Sequence, residues 1–280
     1  MAESRVALVT GGTDGIGKAT AGKLAAEGWE VVVVGRDPAR CASTVEELKT
    51  AAGNAAISAM TADLSLLHET KRAVDEFLTA HDRLDFLFLN ANAIAQQRTL
   101  TSEGFERNFA LGYLSRALLS LELDRVLAAT AGSQILSVVG LNKLRLDFDD
   151  LTMQKKFSGM KALGRWQWSI QVFTRELERR STVAMNSYMP GIVKTKILRS
   201  EPNVLMRTLL RVVYAAKAAT VEDSAGYVLG VMRDVEEHKR RSAYYAVKTL
   251  KPPRDLEDRP GDQEALWDLT ATLLAPYRGG

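Results

Sequence analysis

The sequence predicts an α/β fold in which helices cover both faces of a doubly wound parallel sheet. Short β-branched runs alternate with longer helical patterns, the strand runs are apolar throughout, and a glycine-rich turn joins the first strand to the first helix. Strands that are apolar on both faces belong to a parallel sheet covered on both sides. Right-handed crossovers between such strands wind the sheet in two directions.

Six apolar runs predict the strands of this sheet: RVALVT before Gly11, EVVVVG (30–35), a weaker strand within NAAISAMTADL (54–64), RLDFLFLNA (83–91), SQILSVVG (133–140) and STVAMNSYMPG (181–191). Helical patterns separate them: from Gly11 to Glu27, near 38–51, near 66–80, from 102 to 129 and within 160–177. The spacing contains no internal repeat and no low-complexity linker, so a single domain is predicted.

The chain divides at Thr195 into a core and a helical extension. Residues 1–195 hold the predicted dinucleotide-binding core. Residues 196–280 turn helical and include the proline-containing segment LKPPRDLEDRPGDQ, which predicts a lid and tail on the same domain.

The composition excludes several classes of function. The net charge of +3 is small and dispersed, which argues against nucleic acid as a partner. One cysteine, Cys41, cannot form an internal disulfide, which favours a reducing cytosol and a cytoplasmic protein. The apolar runs are strand-sized, so no membrane span is expected, and no metal-ligand spacing occurs. A small apolar substrate is the expected partner, and a homo-oligomer is compatible with the sequence.

The glycine-rich turn predicts a nucleotide site. In TGGTDGIGKATAGKLA, glycines follow a strand and open a helix, where the backbone can approach a pyrophosphate and the helix N-terminus offers free amides. A plain strand-to-helix turn is the alternative interpretation.

The end of the second strand predicts the preferred cofactor. Arg36 stands where a site for NAD usually places a carboxylate, and a guanidinium suits the 2′-phosphate of NADP. NADP(H) is therefore expected ahead of NAD(H). Asp37 leaves a second interpretation open, in which a helix-capping aspartate lies beside a solvent-exposed arginine.

These motifs resemble those of the short-chain dehydrogenase/reductase family. TGGTDGIG is similar to T-G-x-x-x-G-I-G, ADLS (62–65) to the adenine-contacting segment, LNANA (89–93) to N-N-A-G with two of four residues matched, and PGIVKT (190–195) to P-G-x-V-x-T. EGFERNFALGYL, FTREL and LWDLT resemble the retinol-dehydrogenase-like branch. The resemblance spans nearly the whole chain and implies a Rossmann-like fold.

The resemblance also implies a set of cofactor contacts. Asp63 would meet the adenine ring, and Thr195 the nicotinamide carboxamide. The full set is Gly11, Thr13, Gly15, Ile16, Gly17, Arg36, Asp63, Leu64, Asn90, Ala91, Pro190, Gly191 and Thr195.

The four positions at which this family carries its catalytic groups hold other residues. Counting from the matched motifs, Gly112 takes the place of Asn, Gly140 that of Ser, Leu163 that of Tyr and Gln167 that of Lys. Local slippage cannot restore the acid, because residues 140–187 contain no tyrosine. The resemblance thus implies an intact nucleotide site with a degenerate catalytic tetrad, so the catalytic residues are unknown.

Several polar or aromatic residues are weak candidates for the vacated site. Tyr188 could reach the nicotinamide end or be a packed aromatic, and Trp166 could stack on an aromatic substrate or simply pack. Asn142 and Lys143 could face the substrate or lie in a solvated loop. Two further candidates are interpreted as structural: the hydroxyl of Ser137, and the pair Tyr244 and Lys248 in a late extended stretch.

Three hypotheses of function follow. The first is an NADP-dependent reductase of an activated apolar substrate, an enone, quinone or iminium ion, in specialised biosynthesis, because such acceptors delocalise charge without an enzyme acid. The second is a non-redox cyclase or isomerase on the same fold. The third is a pseudoenzyme that binds a nucleotide or a partner protein.

Overall fold

Eight strands form one sheet in the computed structural model, which describes residues 4–93, 97–140, 144–191, 193, 219–252 and 261–279. The strands are β1 Val6–Thr10, β2 Glu30–Gly35, β3 Ile57–Thr61, β4 Phe86–Leu89, β5 Gln134–Val138, β6 Ala184–Met189, β7 Tyr244–Ala246 and β8 Thr249–Lys251. The six predicted strands are all present, and β4, β5 and β6 are shorter than their apolar runs.

The helices alternate with the strands. They are α1 Gly15–Ala26, α2 Pro38–Ala52, α3 Leu67–Ala80, α4 Arg107–Phe109, α5 Ser115–Glu122, α6 Asp124–Ala129, α7 Gly159–Arg180, α8 Val221–His238 and α9 Asp262–Leu274, with a π-helical turn at Ala110–Leu114 and a 3₁₀ turn at Ala275–Tyr277. Polar side chains fix several helix starts: Asp14 caps α1, Asp37 caps α2, and Thr220 forms a capping box at α8.

The sheet has the order β3-β2-β1-β4-β5-β6-β7-β8. All pairs are parallel except β7 with β8. The chain runs outward from β1 in one direction through β2 and β3, and in the other through β4 to β7. This reversal confirms the doubly wound fold and opens a crevice outside the carboxyl ends of β1 and β4, where such sheets bind ligands.

Two apolar clusters cover the two faces of the sheet. Alternate strand residues feed them: Leu87 and Leu89 belong to one cluster, Phe86 and Phe88 to the other. The first cluster packs under α3, α5, α7 and α9. The second packs under α1, α2 and α8.

The single long helix predicted over 102–129 is wrong. The structure divides this segment into α4, the π-helical turn Ala110–Leu114, α5 and α6. A π turn contains one extra residue, which displaces the following turns, and such turns are frequent at functional sites. Gly112 lies in this turn.

The described part of the segment 196–280 packs on the core, and the lid predicted there stays a prediction. Helix α8 packs on α1, β7 pairs with β6 in the sheet, and α9 packs on α7. Trp267 of α9 stacks on Phe173, with ring centroids 5.4 Å apart, and lies under the guanidinium of Arg180 at 4.6 Å. The tail is therefore part of the packed helix layer, and residues 194–218 lie outside the described ranges.

We expect Trp267→Ala to lower the free energy of unfolding by about 2–4 kcal/mol, because it removes the aromatic contact that holds α9 on α7. Chemical denaturation measures this. Asp268→Ala, an exposed change on the same helix, is the control and should stay within about 0.5 kcal/mol of the wild type. Equal stability of both variants would mean that α9 is a detachable tail.

Candidate functional site

The residues predicted to hold a cofactor lie where the strands end at their carboxyl edge. Gly11 to Gly17 follow β1, Arg36 follows β2, Asp63 and Leu64 follow β3, Asn90 and Ala91 follow β4, and Pro190 and Gly191 follow β6. The sheet therefore brings together the described members of the predicted set. Thr195 lies outside the described residues, and the cofactor contacts themselves stay predictions.

The turn after β1 is built from close backbone approaches. Gly11 has φ +63°, and a Cβ there would lie 2.9 Å from Cα of Ala91. A Cβ on Gly17 would lie 2.6 Å from Nδ2 of Asn90 and 2.9 Å from the carbonyl carbon of Gly11. These positions require glycine because the turn lies directly against the segment after β4. The first amides of α1 consequently stay close to the crevice.

A hydrogen-bond network joins this turn to the end of β4. Thr10 Oγ1 accepts from the backbone amides of Asn90 at 2.9 Å and Ala91 at 3.1 Å. The Asn90 side chain donates to the carbonyls of Thr10 and Gly11, both at 3.3 Å. The edge formed by β1 and β4 is therefore fixed before any ligand binds.

The side of the site next to β2 is basic. Arg36 is exposed, and within the described ranges no carboxylate lies within 4 Å of it. Asp37 caps α2 by accepting from the amide of Arg40 at 3.0 Å, so the capping interpretation holds for Asp37. The Arg40 side chain pairs with Asp14 at 2.7 Å, which offsets the carboxylate at the start of α1. An exposed guanidinium is thus free to meet a phosphate.

Asp63, at the end of β3, is held as an anion. It accepts from the Ser65 amide at 3.0 Å and the Ser65 hydroxyl at 2.7 Å, and it pairs with Arg107 at 3.3 Å. Partial burial raises the pKa of Asp63, but the hydrogen bonds from Ser65 and the charges of Arg107 and Arg36 outweigh it and lower the pKa overall. The side chain is oriented before a ligand arrives.

The four positions predicted to be vacated, Gly112, Gly140, Leu163 and Gln167, lie near α7 and its buried side chains. A Cβ on Gly112 would lie 2.6 Å from Cε2 and 2.8 Å from Cε3 of the Trp166 indole. A Cβ on Gly140 would lie 2.8 Å from Cδ and 2.9 Å from Nε2 of Gln167. Trp166, Gln167 and Leu163 are all buried on α7. The Trp166 indole therefore fills the space next to Gly112, and the Gln167 amide fills the space next to Gly140.

Arg116 is the residue that the sequence reasoning missed. Its Nη1 donates to Ser137 Oγ at 2.8 Å and to the Val138 carbonyl at 2.5 Å, and its Nη2 donates to the Ala91 carbonyl at 2.9 Å. Its Cζ lies 4.9 Å from the ring centroid of Trp166. Burial lowers the pKa of this guanidinium to about 9, which still leaves it charged at neutral pH.

The sequence carries no local signal for Arg116, because an arginine in a helix ordinarily faces solvent. Its contact with Trp166 becomes visible only in the structure.

The weak candidates are resolved as follows. Tyr188 as a nicotinamide contact is wrong: it is buried in the cluster under α8, its hydroxyl donates to the Ser224 carbonyl at 3.4 Å, and burial raises its pKa. Trp166 is 1% exposed, so packing describes it better than stacking on a substrate. Ser137 is a structural hydroxyl, as predicted. Asn142 and Lys143 lie outside the described residues.

The Y-x-x-x-K sequence at Tyr244 and Lys248 does not form a helical pair. Tyr244 is in β7 and buried, while Lys248 is exposed in the turn before β8. The two residues therefore do not share one side of a helix.

Other kinds of site are not found in the described ranges. No group of three His, Cys, Asp or Glu side chains there could hold a metal ion. No helix in those ranges is long and apolar enough to cross a membrane. A groove of about 530 Å³ lies at the opposite edge of the sheet, beside Arg5, Trp29 and Glu236. It contains the exposed ion pair of Arg5 with Glu236 and is not assigned to the site.

Comparison with known proteins agrees with the fold. Residues 5–204 match the model of the short chain dehydrogenase family. Human retinol dehydrogenase 13 is 31% identical over 70% of this chain and 61% of its own length, and the mouse protein is 31% identical over 70% and 60%. The match thus spans less than two thirds of those relatives.

One curated relative matches over nearly its whole length. The protein named "Putative daunorubicin C-13 ketoreductase DnrU" from Streptomyces sp. (strain C5) is 30% identical over 96% of this chain and 92% of its own. Among solved structures, YwfH, an NADPH-dependent reductase involved in bacilysin biosynthesis, superposes with a TM-score of 0.68 at 16% identity, covering 90% of this chain and 100% of its own. An alcohol dehydrogenase from Thermococcus sibiricus with 5-hydroxy-NADP gives a TM-score of 0.65 at 19% identity, with the same coverage.

We expect Gly112→Asn to lower the free energy of unfolding by about 3 kcal/mol, because the rigid indole of Trp166 leaves no room for the side chain. Gly140→Ser should lower it by about 1 kcal/mol, since the flexible end of Gln167 can turn away. Chemical denaturation measures both. Gly226→Ala, in an open position of α8, is the control and should leave stability unchanged or raise it by up to about 1 kcal/mol.

Combining Gly112→Asn with Trp166→Leu tests whether the Trp166 indole causes the loss of stability. The double variant should be more stable than the sum of the single changes implies, by about 1 kcal/mol or more. Strict additivity would show that Trp166 is not what excludes the larger side chain.

Proposed function

Because the chain belongs to the short-chain dehydrogenase family, whose members are NAD(P)-dependent oxidoreductases, we propose that it is an NADP(H)-dependent reductase of an already activated, apolar acceptor. An enone, a quinone or an iminium ion is the expected class. The family's Asn, Ser, Tyr and Lys are replaced by Gly112, Gly140, Leu163 and Gln167, so this reductase works without that set. A tailoring step in specialised metabolism is the expected setting.

One observation carries the proposal: Trp166 and Gln167 fill the space beside Gly112 and Gly140, while the glycine turn after β1 keeps its close backbone approaches. The indole of Trp166 and the amide of Gln167 lie against the two glycines, so an added Cβ would require either side chain to move. Gly11 and Gly17 keep the close approaches that a pyrophosphate turn requires. A nucleotide bound at the glycine turn would therefore lie at a sheet edge that lacks the family's catalytic tyrosine.

Neither of two described tyrosines near this edge, Tyr113 and Tyr188, is placed to act as a phenolic acid. Tyr113 follows Gly112, but its hydroxyl shares a hydrogen bond with the hydroxyl of Thr270 on α9, and burial raises the pKa of Tyr113. Tyr188 lies in the opposite cluster. General acid catalysis is worth about 10²–10⁴-fold, so its loss excludes efficient reduction of simple ketones and favours acceptors that delocalise the charge.

The residues at the edge fit a phosphorylated dinucleotide. Gly11 to Gly17 and the first amides of α1 would hold the pyrophosphate, Arg36 the 2′-phosphate, Asp63 the adenine end and Asn90 with Ala91 the ribose at the other end. NADPH, when bound, supplies a hydride. The residues of this chain would orient the acceptor and the cofactor. Such positioning alone can lower the activation barrier by several kcal/mol.

The relatives add support of different weight. The Streptomyces relative is named a ketoreductase, and its match over both chains favours a reductive role in biosynthesis. YwfH is titled an NADPH-dependent reductase in a biosynthetic pathway, but at 16% identity it supports the fold alone. The non-redox cyclase or isomerase and the nucleotide-binding pseudoenzyme remain outcomes of the tests below.

The first test concerns the cofactor. We expect NADPH to bind at least tenfold more tightly than NADH, about 1.4 kcal/mol, because the unpaired Arg36 guanidinium can meet the 2′-phosphate. Titration by nicotinamide fluorescence measures both affinities. Arg36→Gln should abolish the preference, and Arg125→Gln, an exposed change on α6, should keep it. Equal affinities in the wild type would remove the role of Arg36, and no binding of either cofactor would exclude the reductase.

The second test follows the hydride. With NADPH deuterated at both C4 hydrogens and a cyclic enone such as 2-cyclohexenone, we expect carbon-bound deuterium in the product and one equivalent of cofactor consumed, as mass spectrometry and absorbance can show. A product free of label, formed without reduced cofactor, would establish the cyclase or isomerase. No acceptor-dependent NADPH oxidation across enones, quinones and iminium salts would leave the pseudoenzyme.

A further inference from the structure

The guanidinium of Arg116 is a buried charge without a counter-charge. Arg116 is 2% exposed, and its three hydrogen bonds go to two carbonyls and a hydroxyl. In the part of the chain that the structure describes, no carboxylate lies within 4 Å of it. Buried charges are normally paired, because removal from water costs several kcal/mol. The acceptors and the indole face of Trp166 hold the guanidinium, but all of them are neutral.

Two donors in this cluster also lack acceptors. Arg116 Nε and Trp166 Nε1 are buried, and neither has a hydrogen-bond partner among the described residues. The two side chains are in contact, with the guanidinium over the indole ring. Nε is one of the two nitrogens on the side of a guanidinium that binds planar oxyanions. A positive charge together with two open donors matches an oxygen anion better than a neutral group.

The charge lies just inside the carboxyl edge of the sheet. Its acceptors Ala91 and Val138 end the β4 and β5 segments, and Ala91 and Gly140 are both partly exposed. The guanidinium therefore lies directly beneath backbone groups of the edge at which the acceptor is proposed to bind. Because the charge is buried, water and salt screen it little, and its attraction extends to a ligand at that edge.

We propose that Arg116 makes this edge select an activated acceptor that also carries a negatively charged oxygen, such as the ionised hydroxyl of a hydroxyquinone. The inference rests on the proposed function for the place where the acceptor binds. It also gives the cluster a role in reduction: NADPH would supply the hydride and leave as NADP⁺, the electron pair would move onto a carbonyl oxygen of the acceptor, and water would later supply the proton. Arg116 stabilises that oxygen as an anion.

The test compares two probes of nearly equal shape. 2-Hydroxy-1,4-naphthoquinone is ionised at neutral pH, and its methyl ether, 2-methoxy-1,4-naphthoquinone, is neutral. Tryptophan fluorescence and calorimetry measure the binding of each, with the protein alone and with NADP⁺. We expect the wild type to bind the anion at least tenfold more tightly, and to keep this preference at high salt because the charge is buried.

Variants separate the charge from its structural role. Arg116→Lys keeps the charge and should retain most of the preference, whereas Arg116→Gln should abolish it while both probes still bind. Arg5→Gln removes one positive charge at the opposite edge of the sheet and should change nothing. A wild type without preference, or a preference that survives Arg116→Gln or vanishes with salt, would overturn the proposal.

The result is distinguishable from failure of the reductase itself. If no enone, quinone or iminium salt supports acceptor-dependent NADPH oxidation but the anion preference depends on Arg116, the proposed function fails and the anion site stands. If labelled product forms but the wild type binds both probes equally, the reductase function stands and the anion site fails. Should Arg116→Gln not fold, the wild-type comparison and its salt dependence still decide the matter.

Discussion

The contact on which the site depends is the set of hydrogen bonds from Arg116 to the ends of two neighbouring strands. Its donors reach Ala91 after β4 and Ser137 and Val138 at the end of β5, so one side chain closes the central edge of the sheet. Ala91 in turn is tied through Thr10 to the glycine turn. A rigid connection therefore runs from the nucleotide turn to the indole of Trp166, and each part constrains the next.

Gly112, Gly140, Trp166 and Gln167 pack as one connected unit. A glycine at 112 permits the indole of Trp166 to lie across the helix, and the indole supports the guanidinium one turn further on. A glycine at 140 permits the amide of Gln167 to approach the end of β5. Close-packed interiors respond as a unit, since a side chain added at one position needs a partner removed at another. Restoring single residues consequently cannot rebuild another site.

Most of the fold was predictable from sequence because its signals are local. Apolar runs and turn glycines gave the strands of the doubly wound sheet, and the motif at Gly11 to Gly17 located the nucleotide edge. The π turn at Ala110–Leu114 was not predictable, since one inserted residue leaves the apolar periodicity nearly unchanged. Arg116 was overlooked because an arginine in a helix ordinarily faces solvent. Its burial follows only from the contact between α5, β5 and α7.

The C-terminal helix shows how packing decides what periodicity leaves open. A helical segment after the sheet could cover the crevice or join the helix layer, and the sequence pattern is the same in both cases. Trp267 places α9 in the helix layer, because its ring packs against Phe173 and the Arg180 guanidinium of α7. Thr270, one turn further along, hydrogen-bonds to Tyr113 beside Gly112. The tail therefore supports the π turn from behind, and the site's unusual packing includes residues more than 150 positions apart in the chain.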